Sequence, residues 1–284
     1  MNSQSLLDRW ASVEGGAQLQ PAGGIFAFDC DKTLIDGDIG EATLRLALRR
    51  RWVISHEAWW KHLDDAELGS PRERSEWRTW YERGDQETSS KTKEDGLAQV
   101  LWSAYEELCE KDIHSAYVYA ARLAYGRSPV EVALLAQEAL EIDPLVQIRP
   151  IIKDLVNKVR HLGGDAWVVS SSQVDIVRVI ASHYGITSKN VIGIDFDRDP
   201  RSLVSGDQLI EPAPIGPLKV DALRAQTQAP IRMMAGDSRH DLYLMAEATR
   251  GLFIDHGSDE ELQRKASSLG ALIVSSKSLS GFSS

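Results

Sequence analysis

The feature that most constrains this chain is Ile25-Phe26-Ala27-Phe28, four uncharged apolar residues that run directly into Asp29-Cys30-Asp31-Lys32-Thr33. An apolar run without polar alternation predicts a strand buried on both faces, and strands of that kind belong to parallel sheets covered by helices. Open sheets of this class hold their ligands past the carboxyl ends of the strands, where these acids fall. Side chains alternate along extended chain, so Asp29 and Asp31 are expected on one side and Cys30 on the other. Two carboxylates aimed at one region repel unless a cation neutralises them or one keeps its proton. Both arrangements suit phosphoryl chemistry, and a solvated turn after a strand is the plain alternative.

The second half of the chain repeats the theme. An amphipathic helix over 151–162 stops at Gly163-Gly164, and Ala166–Val169 reads as a second buried strand ending at Ser170-Ser171-Ser172. Next come a helix to Tyr184, a strand over 191–194, a hairpin over 196–210 and a helix from Leu218 to Arg224. A strand over 231–235 ends in Gly236-Asp237-Ser238-Arg239-His240-Asp241, and helix 241–248, strand 252–254, helix 259–268 and strand 271–274 complete the pattern. Alternating strands and helices predict an α/β, Rossmann-like three-layer core with a mostly parallel sheet.

Between Ile39 and Ile142 the pattern is helical throughout, with helices expected over 39–50, 55–65, 71–82, 94–109, 112–125 and 129–142. Ser70-Pro71 and Ser128-Pro129 each supply an N-cap followed by proline at the first helical position. Leu34 to Asp38 reads as a turn cluster, and 85–94 as an exposed polar loop. A short helix over 5–13 and a Gly/Pro-rich connection from Gly15 to Gly24 precede the first strand. The expected organisation is therefore a split α/β core, 1–38 and 146–284, bracketing an all-helical cap over 39–145.

Composition narrows the function. At 284 residues the chain suits one large domain with an insertion, and its formal charge of -10 argues against a nucleic-acid surface. No apolar run approaches the roughly 18 residues of a membrane span. Met1 to Glu14 lacks an apolar secretory stretch, which points to the cytoplasm unless a leader is removed. Two cysteines, Cys30 and Cys109, make no disulfide framework or zinc pattern, and seven scattered histidines lack the spacing of a histidine metal site.

Three buried strands thus end in polar clusters: Asp29/Asp31, Ser170–Ser172 and Gly236/Asp237/Asp241. In one parallel sheet these clusters converge on one crevice. Carboxylates suit a hard cation such as Mg²⁺, and hydroxyls with helix-start N–H groups suit phosphate. Taken singly, each has a structural explanation: Ser170–Ser172 as a helix N-cap, Asp237 and Asp241 as capping and first-turn acids, Lys219 as a solvated helix-start lysine.

Together these residues resemble the haloacid dehalogenase (HAD) superfamily of phosphohydrolases. The order is Asp29-Cys30-Asp31-Lys32-Thr33, then an apolar strand ending at Ser170, then Lys219 in Gly-Pro-Leu-Lys-Val-Asp-Ala-Leu, then Gly236 to Asp241, with Lys219 18 residues before Asp237. Val191-Ile192-Gly193-Ile194 with its hairpin, and a helical insertion after the first motif, are similar to the phosphoserine phosphatase-like branch. The resemblance implies a Mg²⁺-dependent phosphomonoesterase acting on a small phosphorylated metabolite. Asp29 would be the nucleophile that forms an aspartyl-phosphate, and Asp31 the acid and then the base. Asp29, the main-chain carbonyl of Asp31, and Asp237 would hold Mg²⁺, with Asp241 in support. Ser170, Ser171 and Lys219 would bind phosphate. Haloacid dehalogenases proper lack the second acid of the first motif, so Asp31 favours a phosphate ester over a carbon–halogen bond. P-type pumps share Asp-Lys-Thr but need transmembrane helices. A phosphotransferase, or a phosphate-binding regulatory module without turnover, would use the same scaffold.

Two features bear on substrate. Six of the eight tryptophans, Trp52, Trp59, Trp60, Trp77, Trp80 and Trp102, fall in the insertion, joined by Tyr81, Tyr105, Tyr117, Tyr119 and Tyr125. They read as core packing or as an aromatic box for a quaternary ammonium such as phosphocholine. Asp38 and Glu41 read as the cap and first turn of helix 39–50, or, by the resemblance, as partners for a substrate ammonium. Arg49-Arg50-Arg51 marks that helix's C-terminal end.

Overall fold

The computed structural model describes residues 24–50, 52, 64, 70–82, 91–257 and 259–279. The helices expected over 5–13 and, but for residue 64, over 55–65 lie outside the described residues, as do Trp59 and Trp60. The strands are β1 (Ile25–Phe28), β2 (Ile35–Asp36), β3 (Gln147–Ile148), β4 (Asp165–Gln173), β5 (Val191–Ile194), β6 (Phe196–Arg198), β7 (Ser205–Leu209), β8 (Ile231–Gly236), β9 (Arg250–Asp255) and β10 (Leu272–Ser275). The helices between β2 and β3 are α1 (Ile39–Arg49), α2 (Pro71–Glu82), α3 (Lys91–Lys111), α4 (Ile113–Ala121) and α5 (Pro129–Ile142). Those after β3 are α6 (Pro150–His161), α7 (Val174–His183), α8 (Leu218–Gln226), α9 (Asp241–Glu247) and α10 (Glu260–Ser268). None of the described helices is long and apolar enough to cross a membrane.

Six strands form one parallel sheet in the order β10-β9-β8-β1-β4-β5, with β1 near its middle. Alternation splits β1 between two apolar layers. Phe26 and Phe28 face α6 and α7 through Ile152, Leu155, Val156, Val177 and Ile180. Ile25 and Ala27 face α8, α9 and α10 through Leu223, Leu244, Met245 and Ala266. Phe28 is fully buried, worth about 1.5–3 kcal/mol relative to exposure. The expected three-layer arrangement is therefore present, and the register aligns the strand ends. Phe28 sits beside both Val168 and Ala235, so Asp29 leaves the sheet just where β8 reaches Gly236.

The described inserted helices pack onto the core. α1 packs on α5 and α3, and α5 packs on α7. Ile39, Leu44, Leu48, Tyr105 and Leu135 belong to the same continuous cluster as Phe28 and Val177. A second contact joins Val118 and Ala121 of α4 to Ile194, Phe196, Ala213 and Ile215 beside the β6–β7 hairpin.

The structure corrects three expectations. The second buried strand does not end at Val169, because β4 continues through the three serines to Gln173. The cap of α7 is Gln173, whose side-chain oxygen accepts from Asp175 N at 2.7 Å and Ile176 N at 3.1 Å. Gly193 permits this extension, since a Cβ there would lie 2.7 Å from the Ser172 carbonyl oxygen. The turn cluster at Leu34–Asp38 contains a strand, β2, paired antiparallel with β3 through Ile35↔Ile148 and Asp36↔Gln147. Gly37 then turns the chain at φ +81, and a Cβ there would collide with the Leu145 carbonyl oxygen. The helix expected over 112–125 ends at Ala121 and tightens into a 3-10 turn over Arg122–Ala124.

Candidate active site

The acids after β1 and β8 meet the lysine of α8. Lys219 is 2% exposed, and its Nζ lies 2.7 Å from Asp29 Oδ1 and 2.7 Å from Asp241 Oδ1. The other Asp241 oxygen accepts from Asp237 N at 3.1 Å, Ser238 N at 2.9 Å and Ser238 Oγ at 2.7 Å. Gly236 makes that fold-back feasible, because a Cβ there would sit 2.5 Å from Asp241 Cγ. Asp237 Oδ1 accepts from Thr33 Oγ1 at 3.3 Å, and His256 Nε2 is 3.8 Å from its other oxygen.

One ammonium cannot neutralise three buried carboxylates. Burial works against the Asp241 charge, but Lys219 and Ser238 hold its carboxyl below the ordinary value. Burial likewise opposes the Lys219 charge, yet Asp241 and Asp29 keep its pKa above that of a free lysine. Burial pushes Asp29 up to about 8 against the pull of Lys219, with Asp241 and Asp237 adding to the rise. Burial and the Asp241 charge raise Asp237 to about 7. Lys219 is therefore balanced chiefly by Asp241, and burial disfavours a charge on Asp29 and Asp237 in the absence of a further cation. One oxygen from each of Asp29, Asp237 and Asp241 lies within 4.8 Å of the others, a cluster of hard donors suited to a small divalent ion. Asp241 has both oxygens committed, so Asp29 and Asp237 are the side chains free to ligate.

Asp31 takes a different position. The chain does not stay extended past Asp29. Cys30–Leu34 forms a tight turn with Lys32 at φ 55, Cys30 enters the apolar core, and Asp31 points to the start of α1. Its carboxylate accepts from Ile39 N at 2.7 Å and Ser172 Oγ at 2.6 Å. Burial and the neighbouring Asp29 raise its pKa to about 6, partly offset by those two hydrogen bonds. Asp31's side chain is thus apart from the acid cluster. Ser170 is buried and its Oγ accepts from Ser172 N at 3.1 Å, whereas Ser171 Oγ donates to Pro214 O at 2.8 Å.

Asp38 caps α1 by accepting from Glu41 N at 2.8 Å. Burial, then Asp31 and Glu41, push its carboxyl well above the ordinary range. Glu41 Oε1 accepts from Tyr105 OH at 3.4 Å, and Oε2 pairs with Arg45 at 3.4 Å. Asp38, Glu41, Tyr105, Tyr117, Ser172 and Gln173 line a cavity of about 30 Å³ beside Asp31. Two expected box aromatics are already engaged, Trp102 under Arg45 and Trp52 under Arg127, each at 4.9 Å. The side chains of Trp77, Trp80 and Tyr81 lie outside the described residues. Arg50 pairs with Glu138, while Arg51 is also outside them.

Some residues of the site carry little signal in the sequence. Nothing there separates Ser172 from the two serines before it or marks it as the partner of Asp31. Tyr117 and His240 face one another edge-on with centroids 6.1 Å apart, one from α4 and one from the turn before α9. Burial and then Lys219 keep His240 below the ordinary histidine pKa. Its one signal is its offset, a single residue before Asp241.

Residues 26–246 match the family model of the haloacid dehalogenase-like hydrolases. The chain belongs to that family. The likeness extends to solved structures at low identity. A protein of unknown function from Bordetella pertussis Tohama I aligns with TM-score 0.61 and 16% identity, over 89% of this chain and 99% of that one. A functionally unknown protein from Anaerococcus prevotii DSM 20548 gives 0.65 and 17%, over 94% and 90%. The HAD family hydrolase t0658 from Salmonella enterica serovar Typhi gives 0.52 and 14%, over 87% and 67%. Among curated proteins, none matches this sequence.

Proposed function

We propose that this HAD-like hydrolase is a Mg²⁺-dependent phosphomonoesterase of the phosphoserine phosphatase-like branch, acting on a small phosphorylated metabolite in the cytoplasm. The observation that carries the reading is Lys219, buried and shared at 2.7 Å between Asp29 and Asp241, with Asp31 held separately on the α1 side. Asp29 presents a carboxylate oxygen to phosphorus, and the ester P–O bond breaks as the aspartyl-phosphate forms. Asp31 gives its proton to the departing alkoxide, and a carboxyl raised to about 6 holds that proton near neutrality better than a free aspartate. Asp31 then accepts a proton from the water that attacks phosphorus, which frees inorganic phosphate and restores Asp29. Lys219 and Ser170 stabilise charge on the phosphoryl oxygens, with Ser171 at the rim. Mg²⁺, held by Asp29, Asp237 and the Asp31 carbonyl, would neutralise the dianion's approach to this acidic site.

Residues 39–145 serve as the cap over this crevice. Asp38 and Glu41 place two carboxyl groups at the start of α1, near Asp31, which suits an amine-bearing leaving group. Phosphate release from p-nitrophenyl phosphate and from phosphoserine, phosphoethanolamine and phosphocholine, with Mg²⁺ and with EDTA, tests the reading. Mg²⁺-dependent release is expected, and none from any of these esters would overturn it.

A further inference from the structure

Arg149 is almost wholly buried, at 1% exposure, and no step of the reaction uses it. It stands at the start of α6, where its guanidinium reaches back to the turn that carries the first two acids. Nε donates to Ile35 O at 3.2 Å. One terminal nitrogen donates to Ser276 O at 3.0 Å, and the other to Asp36 Oδ1 at 3.0 Å and Lys32 O at 3.4 Å. The Arg149 main-chain N–H donates to Leu34 O at 3.2 Å, and that carbonyl also accepts from the Tyr184 hydroxyl. The carbonyls of Lys32, Leu34 and Ile35 are all held by two residues from distant parts of the chain.

Those carbonyls belong to the segment that must stay in an unfavourable shape. Lys32 sits at φ 55 and ψ 0, a left-handed conformation disfavoured for any residue with a Cβ. Lys32 N donates to Gly37 O at 2.9 Å, which closes the turn, and Asp31 immediately precedes it. The backbone angles of Lys32 set how Asp31 stands relative to the start of α1, and with it the bond to Ile39 N. An apolar side chain would fill this space without burying a charge, so packing alone does not call for arginine. A planar fork of five donors can serve several carbonyls at once, which an ammonium cannot.

We propose that Arg149, assisted by Tyr184, is a positioning residue. It locks the Cys30–Asp36 turn so that the Asp31 carboxyl stays at the leaving-group side of the site, and through Ser276 it ties the segment just after the last strand to that turn. The proposal rests on the phosphomonoesterase reading for its kinetic consequence but not for its structural one.

The test compares Arg149→Met, Arg149→Lys and Tyr184→Phe with the parent by two readouts. The first is hydrogen exchange of the Ile39 amide, which donates to Asp31. The second is the first-turnover rate of alcohol release, with KM, for an alkyl phosphate, which needs a proton on departure, and for p-nitrophenyl phosphate, which does not; it isolates the step before Asp31 acts as base. For Arg149→Met, loss of acid catalysis should lower the first-turnover rate about 10²-fold on the alkyl ester and under about tenfold on the nitrophenyl ester, with KM little changed. Ile39 exchange should accelerate about tenfold or more while amides of β1 and β4 keep their protection. Ethylguanidinium should restore part of the lost rate, and Arg149→Lys should fall between. Tyr184→Phe, which keeps its ring, should show the same pattern at roughly a few-fold and covers the case in which Arg149→Met does not fold. Equal losses on both esters that track the unfolded fraction, or an Ile39 amide as protected as in the parent, would overturn the proposal. A parent that cleaves no ester would overturn the phosphatase reading alone, with Ile39 exchange still deciding the role of Arg149.

Discussion

The strand-end site and the helical insertion handle polar groups in opposite ways. At the strand ends, Lys219, Asp29 and Asp241 are buried and bonded at short distances. In the insertion, Glu41 is half-exposed and reached by Tyr105 and Arg45 only at 3.4 Å. A buried ion cluster is costly to disturb, whereas a loosely paired, half-exposed carboxylate exchanges partners at little cost. The proposed chemistry thus rests on a fixed cluster at the sheet, and the proposed substrate contact on a residue that can change without endangering it.

That contrast is open to attack. The largest effect should come from Asp29→Asn, which removes the proposed nucleophile and should lower turnover on the order of 10⁴-fold or more with the fold intact, as monitored by phosphate release and circular dichroism. Asp31→Asn should slow first-turnover alcohol release about 10²–10⁴-fold from an alkyl phosphate and much less from p-nitrophenyl phosphate, since only the first needs a proton on departure, while steady-state turnover of both falls with loss of the base. Lys219→Met leaves Asp241 charged and unpaired, so urea denaturation should show a loss of about 3–5 kcal/mol. The same change on the insertion side, Arg45→Met, should stay below about 1 kcal/mol, and equal losses would break the comparison.

The site should also impose its own pH dependence. The carboxyls of Asp29 and Asp237, at about 8 and about 7, lie above the 3.8 of a free aspartate. The native state without metal then binds more protons than the unfolded chain between those values. Its stability should fall as pH rises through that window, by the sign of the linkage relation. Mg²⁺ must displace these protons, so its stabilising shift of the melting temperature should grow from pH 6 to pH 8. A shift independent of pH would mean that these acids do not hold the ion. The smallest effect belongs to Glu41→Gln. It should raise KM about tenfold for amine-bearing esters, equivalent to ~1.4 kcal/mol, with the change confined to substrates that carry the amine.

Much of the core is legible in the sequence because its signals are unambiguous. Uninterrupted apolar runs such as Ile25–Phe28 mark central strands, and the residues just past such a run lie at the rim of a parallel sheet. That logic singles out Asp29, Asp31, Asp237 and Asp241 from the chain alone. It does not say that Asp241 turns inward to Lys219 and three donors while Asp237 stays available. That division depends on Gly236 letting the chain fold back. The serines at 170–172 mislead because a hydroxyl suits a cap and an extended strand equally, and the deciding residue, Gly193, lies on the neighbouring strand. β2 and β3 are two residues each, too short for any periodicity. Along the sequence Arg149 is an ordinary charge before a proline. Only the fold shows which carbonyls surround it.

The β2–β3 pair has a consequence for how such a molecule changes over time. It brings Asp36 beside Gln147, so the whole run of helices departs and returns through a doorway one residue pair wide. A loop with its ends already clasped can be lengthened, shortened or exchanged without moving β1 or Asp29. The condition is that its replacement also cover the side of α7 on which α5 packs, and Ile194, Phe196, Ala213 and Ile215 beside the hairpin. A graft that respects this apolar seat would give the same reaction a new clientele, and one that ignores it would leave an adhesive patch beside the catalytic crevice.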